Sequence, residues 1–326
     1  MKVKNNFIFF GIIILMLFAV LIYYLNRTGD SNQSQNNNKQ NNNPETSQSV
    51  SASANPSSIA NYPGTIYYTK IFDNHYYIYS KKTAEDEKLL FTDKDEEEQI
   101  KFIPSISFDG DIYAVMAKKE QAFTGTLYKI SADGSGEKEK LKDGFVTNAN
   151  PAVSLDGTKT AYTLFSNAEA HYGFTLYISE ADGANIIKID EDSTNINYLC
   201  FSKDAKNIAY IKANKYLYVS DIDAKSQTKI YEMQNNNTIS GISWSENNII
   251  LTYSGAEAKI IAVNISDKSV KELYKKSDAS IGNSFSEANL NNYIYLNQND
   301  HNIYINNTND QKNIINEVTN IIQWLN

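Results

Sequence analysis

The densest concentrations of chemically capable side chains are two runs of carboxylates: Asp93, Asp95, Glu96, Glu97 and Glu98, then Asp190, Glu191 and Asp192. Gathered on one concave surface, such runs focus a negative potential that attracts a cation or a basic peptide. Spread along solvated loops, the same residues only keep the surface wet. His75, His171 and His301 are the three imidazoles of the chain, and imidazole is a common metal ligand. The one cysteine, Cys200, lies between Leu199 and Phe201 and has no internal disulfide partner. Its apolar neighbours point to a buried, inert thiol.

No Gly-x-Ser-x-Gly elbow, His-Glu-x-x-His pair, Cys-x-x-Cys pair or phosphate-binding glycine loop occurs. The nucleophile, zinc and nucleotide sites that a sequence displays locally are therefore missing. No catalytic residue, metal ligand or cofactor is assigned. A site assembled from distant loops would leave no local motif, so the organisation of the chain decides which of these side chains can meet.

The formal charge of −8 and the lack of any Lys/Arg-rich stripe exclude a nucleic-acid binder, which needs a basic face to displace counterions from phosphates. The 23 tyrosines and 14 phenylalanines favour strands, and five prolines are too few for a disordered chain. Beyond residue 60 one phrase recurs, an apolar residue, serine, any residue, then Asp-Gly or its decayed form. It opens at Ile106, Val153, Phe201, Trp244 and Phe285, at intervals of 41 to 48 residues. That period is one four-stranded blade of a β-propeller.

Within each interval a B strand follows the turn: Ile112 to Ala117, Thr160 to Leu164, Ile208 to Ile211, Ile249 to Tyr253 and Tyr293 to Leu296. A C strand follows, marked by Leu127-Tyr128, Leu176-Tyr177, Leu217-Tyr218 or Ile303-Tyr304. The turns Asp133-Gly134 and Asp182-Gly183 lead into D strands, because Asp-Gly supplies the positive φ of a tight hairpin. The first unit lacks an A strand, and Ile321 to Trp324 has the shape of one. The expectation is an all-β, six-bladed β-propeller over residues 62–326, closed by its C-terminal strand so that no sheet edge is left open. D–A and B–C connections then share one face, here called upper. The acidic runs fall in D–A loops, near the channel. The histidines fall at B–C connections of separate blades, too far apart to share a metal.

Phe7 to Leu25 is uncharged and apolar, and roughly 20 such residues cross a bilayer. Residues 7–25 are expected to be a transmembrane signal anchor, with Lys2 and Lys4 marking residues 1–6 as a short cytoplasmic tail. Residues 26–61, rich in Asn, Gln and Ser, have too few apolar side chains to fold and read as a tether. The propeller is thereby expected outside the cytoplasmic membrane.

The apolar-Ser-x-Asp-Gly turn, the β run and the Leu-Tyr-x-x-x-x-Asp-Gly continuation together resemble the TolB-type propeller repeat. The likeness is sharpest in blades two and three, although Phe108 and Leu155 stand where that family carries proline. It implies a propeller fold shared by an envelope-maintenance partner and by the covers of prolyl-oligopeptidase-like hydrolases. The expected function is a membrane-anchored binding or scaffold propeller, not an enzyme, engaging an envelope protein or peptide and, through the acidic loops, a cationic one. The alternative is an envelope hydrolase or lyase with its site at the channel mouth.

The composition of the tether generates a first prediction. Limited proteolysis of the full chain should cut between residues 26 and 61 and release a fragment that still unfolds cooperatively. A fragment that loses its transition on release would misplace the boundary.

Overall fold

Two glycines show how the repeat turns into three-dimensional structure. Gly110 and Gly157 close A–B turns at φ of +85° and +71°, a region open to glycine but strained for side chains. A Cβ at Gly110 would come within 2.7 Å of the Tyr67 hydroxyl, and one at Gly157 within 2.1 Å of the Tyr113 hydroxyl. Each tyrosine belongs to the B strand of the preceding blade and lies against the next blade's turn. In blade three the B strand carries Thr160-Ala161 where blades one and two carry Tyr67 and Tyr113, and the blade-four turn beyond it accepts Ala205 at φ +55°.

The serine of the phrase has its own task. In blade three the Ser154 hydroxyl donates to Asp156 Oδ1 at 2.6 Å and accepts from the Lys159 amide at 2.9 Å. Blade four repeats this with Ser202, Asp204 and the Asn207 amide, at 2.7 and 2.9 Å. Burial acts to raise the Asp156 carboxyl, but its hydrogen bonds from Ser154 and Thr158 outweigh it and hold the carboxyl below the usual range. In blade five the aspartate is gone. The Ser245 hydroxyl is buried without a hydrogen-bond partner, and the Trp244 indole N–H donates to the Glu246 carbonyl at 2.7 Å instead.

The computed structural model describes residues 64–325 apart from 84, 122–123, 169–170, 234–237, 256, 278–279 and 308–309. The expected anchor at 7–25 and tether at 26–61 lie outside the described residues. The described chain forms six antiparallel sheets, and it is all β as expected. Ordered from the inner A strand to the outer D strand, blade one is Asn320–Leu325, Thr65–Phe72, His75–Lys82 and Lys88–Thr92. Its A strand comes from the far end of the chain. The other A strands are Ser105–Ile106, preceded by the short Gln99–Ile100, then Ala152–Val153, Ile196–Phe201, Thr238–Ser245 and Ile281–Ser286. Each A strand adjoins the next around the ring, with Asn320–Leu325 between Ile281–Ser286 and Ser105–Ile106.

The A strands of blades two and three are shorter than the repeat implies. Pro104 and Pro151 precede them, and proline cannot donate to a ladder, so it is confined to strand edges and starts. The channel edge of a blade is such a place.

Closure joins the two ends of the described chain. Thr65 pairs with Leu325 and Ile66 with Trp324, the Thr319 amide donates to the Thr69 carbonyl at 2.8 Å, and the Ile71 amide donates to the Thr319 hydroxyl at 3.1 Å. Ile321 and Trp324 then pack with Ile66 and Tyr68 of blade one and with Phe285, Ile294 and Leu296 of blade six. Trp324 is only 6% exposed.

Deleting a buried tryptophan side chain costs about 3–5 kcal/mol. Trp324→Ala should lower the unfolding free energy by that amount, and removal of residues 320–326 should expose blade one to protease. An unchanged melting curve for the truncated chain would refute closure. The serine turns give a paired expectation. Ser154→Ala, which orphans the Lys159 amide, should cost roughly 1–3 kcal/mol. Ser245→Ala removes an unpartnered hydroxyl and should cost about 0.5 kcal/mol or less. Urea titration of both variants distinguishes the two turns.

Candidate functional site: channel and upper face

The six A strands enclose a channel with a cavity of about 630 Å³, lined by residues of every blade. Its walls follow from the ladder irregularities of these strands. Pairing with the B strands slips between Asn197 and Cys200, between Ile239 and Gly241, and between Ile281 and Ser284. A bulge bends the strand and re-aims its side chains, and here Tyr198, Leu199, Ser240, Gly282 and Asn283 all reach the cavity lining.

The lining is zoned. Towards the upper end it presents the amides Asn150, Asn197, Asn283, Gln298 and Asn320. Towards the A–B turns it presents Phe108, Leu155, Phe201, Trp244 and Phe285. Among the described residues, its charged members are Lys203 and Glu246, both in A–B turns. Phe108 and Lys203 belong to blades two and four, and the Lys203 ammonium lies 5.9 Å from the centroid of the Phe108 ring, so the two side chains meet over the lower mouth.

Cys200 also lines the channel. The residue is partly exposed, but burial of its thiol pushes the thiol well above the usual range. Thiolate chemistry at neutral pH is thereby suppressed.

None of the eight carboxylates singled out in the sequence lines this cavity. Asp93 is fully buried and is not a rim residue. Its two oxygens accept from the Tyr76 and Ile100 amides, both at 2.8 Å, so it staples the D–A loop between blade one's C strand and the short Gln99–Ile100 strand of blade two. Glu96 pairs with Lys138, Glu98 accepts from the Tyr128 hydroxyl at 3.1 Å, and Glu97 pairs with Lys118 at 2.8 Å. These partners stand on or beside the B, C and D strands of blade two, drawing the loop over that blade and away from the axis. Lys118 holds the Glu97 carboxyl below its usual range.

The second run is divided in the same way. Asp190 bridges to blade four, accepting from the Tyr210 hydroxyl at 2.8 Å and pairing with Lys212 at 3.0 Å. Burial first, and then the Asp190 charge, push the Tyr210 hydroxyl strongly upward. Glu191 pairs with Lys188. Asp192 accepts from the Thr194 and Asn195 amides at 2.7 and 3.3 Å and shapes the D–A turn. Asp95, Glu97 and Glu191 remain exposed.

The histidines stand at B–C connections of blades one, three and six, as the repeat implied. His75 is not freely exposed, since its Nδ1 lies 3.3 Å from Asp93 Oδ1. Among the described residues no group of three or more His, Cys, Asp or Glu side chains is placed to hold a metal ion.

The sequence reading missed one surface. The B and C strands of blade three, Lys159–Ala168 and His171–Glu180, are ten residues each, against six to eight in the other blades. Their last pairs, from Ser166 with Gly173 onward, lie beyond the pairing of the D strand, which ends at Phe174 with Asp192. The extra two to four residues project the hairpin by roughly 7–13 Å. Phe165 at its base and Tyr172 on the projecting part are 41% and 66% exposed, with ring centroids 5.4 Å apart, and Phe174 lies 5.0 Å from Phe165. Phe72, also exposed, caps the blade-one hairpin on the same face. The signal was legible as the aromatic pattern Phe165 to Phe174 around a B–C turn.

Among known proteins, no family model matches the chain and no curated protein sequence matches it. Solved structures do share the fold. TolB from Acinetobacter baumannii is 18% identical at a TM-score of 0.60, over 80% of this chain and 66% of that one. A putative TolB from Agrobacterium tumefaciens is 16% identical at 0.56, over 77% and 88%. An oligogalacturonate lyase in complex with manganese is 10% identical at 0.55, over 78% and 74%. Likeness at these identities is likeness of fold.

Proposed function

We propose that this TolB-like six-bladed propeller is a binding and scaffold module, tethered to the membrane through residues 7–25 and presenting its upper face to a protein partner at the cell envelope. The observation that carries the proposal is the blade-three hairpin, which raises Phe165 and Tyr172 into solvent next to a D strand carrying the exposed Glu191, opposite Thr175. Exposed aromatic clusters with a polar rim are the usual anchors of protein interfaces. Asp95 adds an exposed negative charge that favours a partner with basic groups, while Glu97 and Glu191 stand paired with Lys118 and Lys188.

A second reading is an envelope hydrolase or lyase with its site at the channel mouth. The fold shared with an oligogalacturonate lyase supports it. Among the described residues, the charged side chains of the channel lining are Lys203 and Glu246, which stand on the A–B turns of blades four and five.

The test is proximity cross-linking in intact cells followed by binding of the captured partner to purified protein. Phe165→Ser/Tyr172→Ser should weaken binding at least tenfold while leaving the melting curve intact. Replacing Asp95 by Asn and Glu97 by Gln, the exposed acids of the first D–A loop, should weaken it further and flatten its salt dependence, because rim charges are screened over about 8 Å at physiological ionic strength. Full affinity in both variants would remove the upper face from the interaction. Turnover of an oligogalacturonate or peptide by the purified chain would establish the second reading.

A further inference from the structure

The channel belongs to a different part of the molecule from the docking face, and its chemistry is different. We infer that it is a binding site for a small, uncharged, hydroxyl-rich ligand, a neutral saccharide.

Between the amide zone and the aromatic zone the lining carries hydrogen-bonding groups and apolar surface, and its charges are confined to the lower mouth. An ionised ligand buried against such a wall would lose hydration with no counter-charge to replace it. A hydroxyl both donates and accepts, and the side-chain amide offers both complements, an acceptor oxygen and two donor hydrogens. The amides of Asn150, Asn197, Asn283 and Asn320 come from four different blades and line the same space; Asn150 Oδ1 accepts from the Ile103 amide and the Asn197 and Asn283 Nδ2 groups donate to Asn214 and to the Ile321 carbonyl, which leaves the Asn150 amino group and the Asn197 and Asn283 oxygens for a ligand.

Unfinished hydrogen bonding supplies an independent observation. Asn197 Oδ1 and Ser240 Oγ are buried polar atoms with no hydrogen-bond partner, and both residues lie in the channel lining. They sit on the A strands of two adjacent blades, four and five. Native proteins rarely leave such groups unmet, and a bound polyol meets them once the Ser240 hydroxyl rotates and the Asn197 amide, held at its nitrogen by Asn214, turns its oxygen towards it. Below them, Trp244 and Phe108 offer ring surface for the apolar face of a sugar. A volume of about 630 Å³ falls within the range of small-ligand sites.

A peptide is the competing occupant, and the A strands disfavour it. Peptide capture by strand addition needs a continuous edge of backbone donors and acceptors. Here the channel edges are broken by Pro104 and Pro151 and by the bulges in blades four to six. Some of the channel-side groups are already committed between neighbouring blades. The Val153 amide donates to Ser105 Oγ at 3.2 Å, and the Ser243 hydroxyl donates to the Ser284 carbonyl at 2.7 Å.

The experiment uses the full chain in a detergent without a sugar headgroup, applied to an array of neutral and uronic-acid-containing oligosaccharides, with the best binder titrated by calorimetry. A neutral oligosaccharide should be retained in preference to its uronate counterparts and to uncharged Asn- and Ser-rich peptides. Asn197→Ala/Ser240→Ala should lower its affinity at least tenfold with an unaltered melting transition, while Phe165→Ser/Tyr172→Ser leaves it unchanged. No retention of any neutral glycan, preference for uronates or peptides, or full affinity in the channel variant would overturn the assignment. Because the docking variants and the channel variants lie on separate surfaces, failure here leaves the upper-face proposal to stand or fall on its own result.

Discussion

The pairing of Asn320–Leu325 with Thr65–Phe72 turns a row of six sheets into a ring. Every other feature of the channel presupposes it. Without that strand, blade one would present the open edge of Thr65–Phe72, and blade six would lose the Ile321 and Trp324 side chains that fill its flank. The six A strands could not then surround one space. The contact joins residues more than 250 positions apart in sequence, so it forms only when the intervening blades have brought the ends together. The entropy of closing so long a loop grows slowly with length, and the buried apolar contacts of the closing strand offset it.

Contacts between successive blades are shorter in range and were more legible. The repeated phrase disclosed the blade period, the turn glycines and the composite first blade, because each serine, aspartate and glycine acts within five residues of its own position. The tyrosine packed against the next turn was not legible, since Tyr67 and Gly110 meet only across a blade boundary. The bulges of blades four to six were hidden for the same reason. A bulge is defined by pairing with a partner strand, and the residue pattern of the A strand alone does not record it.

The carboxylates show where charge counting fails. Read as runs, residues 93–98 and 190–192 looked like two negative patches turned to the channel. In the folded chain, Asp93 serves backbone amides, Glu96 and Glu98 reach blade two, and Asp190 reaches Tyr210 and Lys212 of blade four. Most of the run is bracing. Lysines and tyrosines at the right register on a neighbouring blade are enough to convert a loop acid from a ligand-facing group into a structural tie, and neither residue is near it in sequence.

Blade one also has a mechanical consequence. Thr65–Phe72, the first strand of the described chain, is an interior strand of its sheet, gripped on one side by Asn320–Leu325 and on the other by His75–Lys82. A tensile load entering at residue 64 is shared at once between two ladders, one reaching the adjacent hairpin and the other the C-terminal seam. A pulled edge strand would have one ladder to resist with; this one must shear two, and the seam that closes the ring is therefore also the clamp that resists extraction of its first strand.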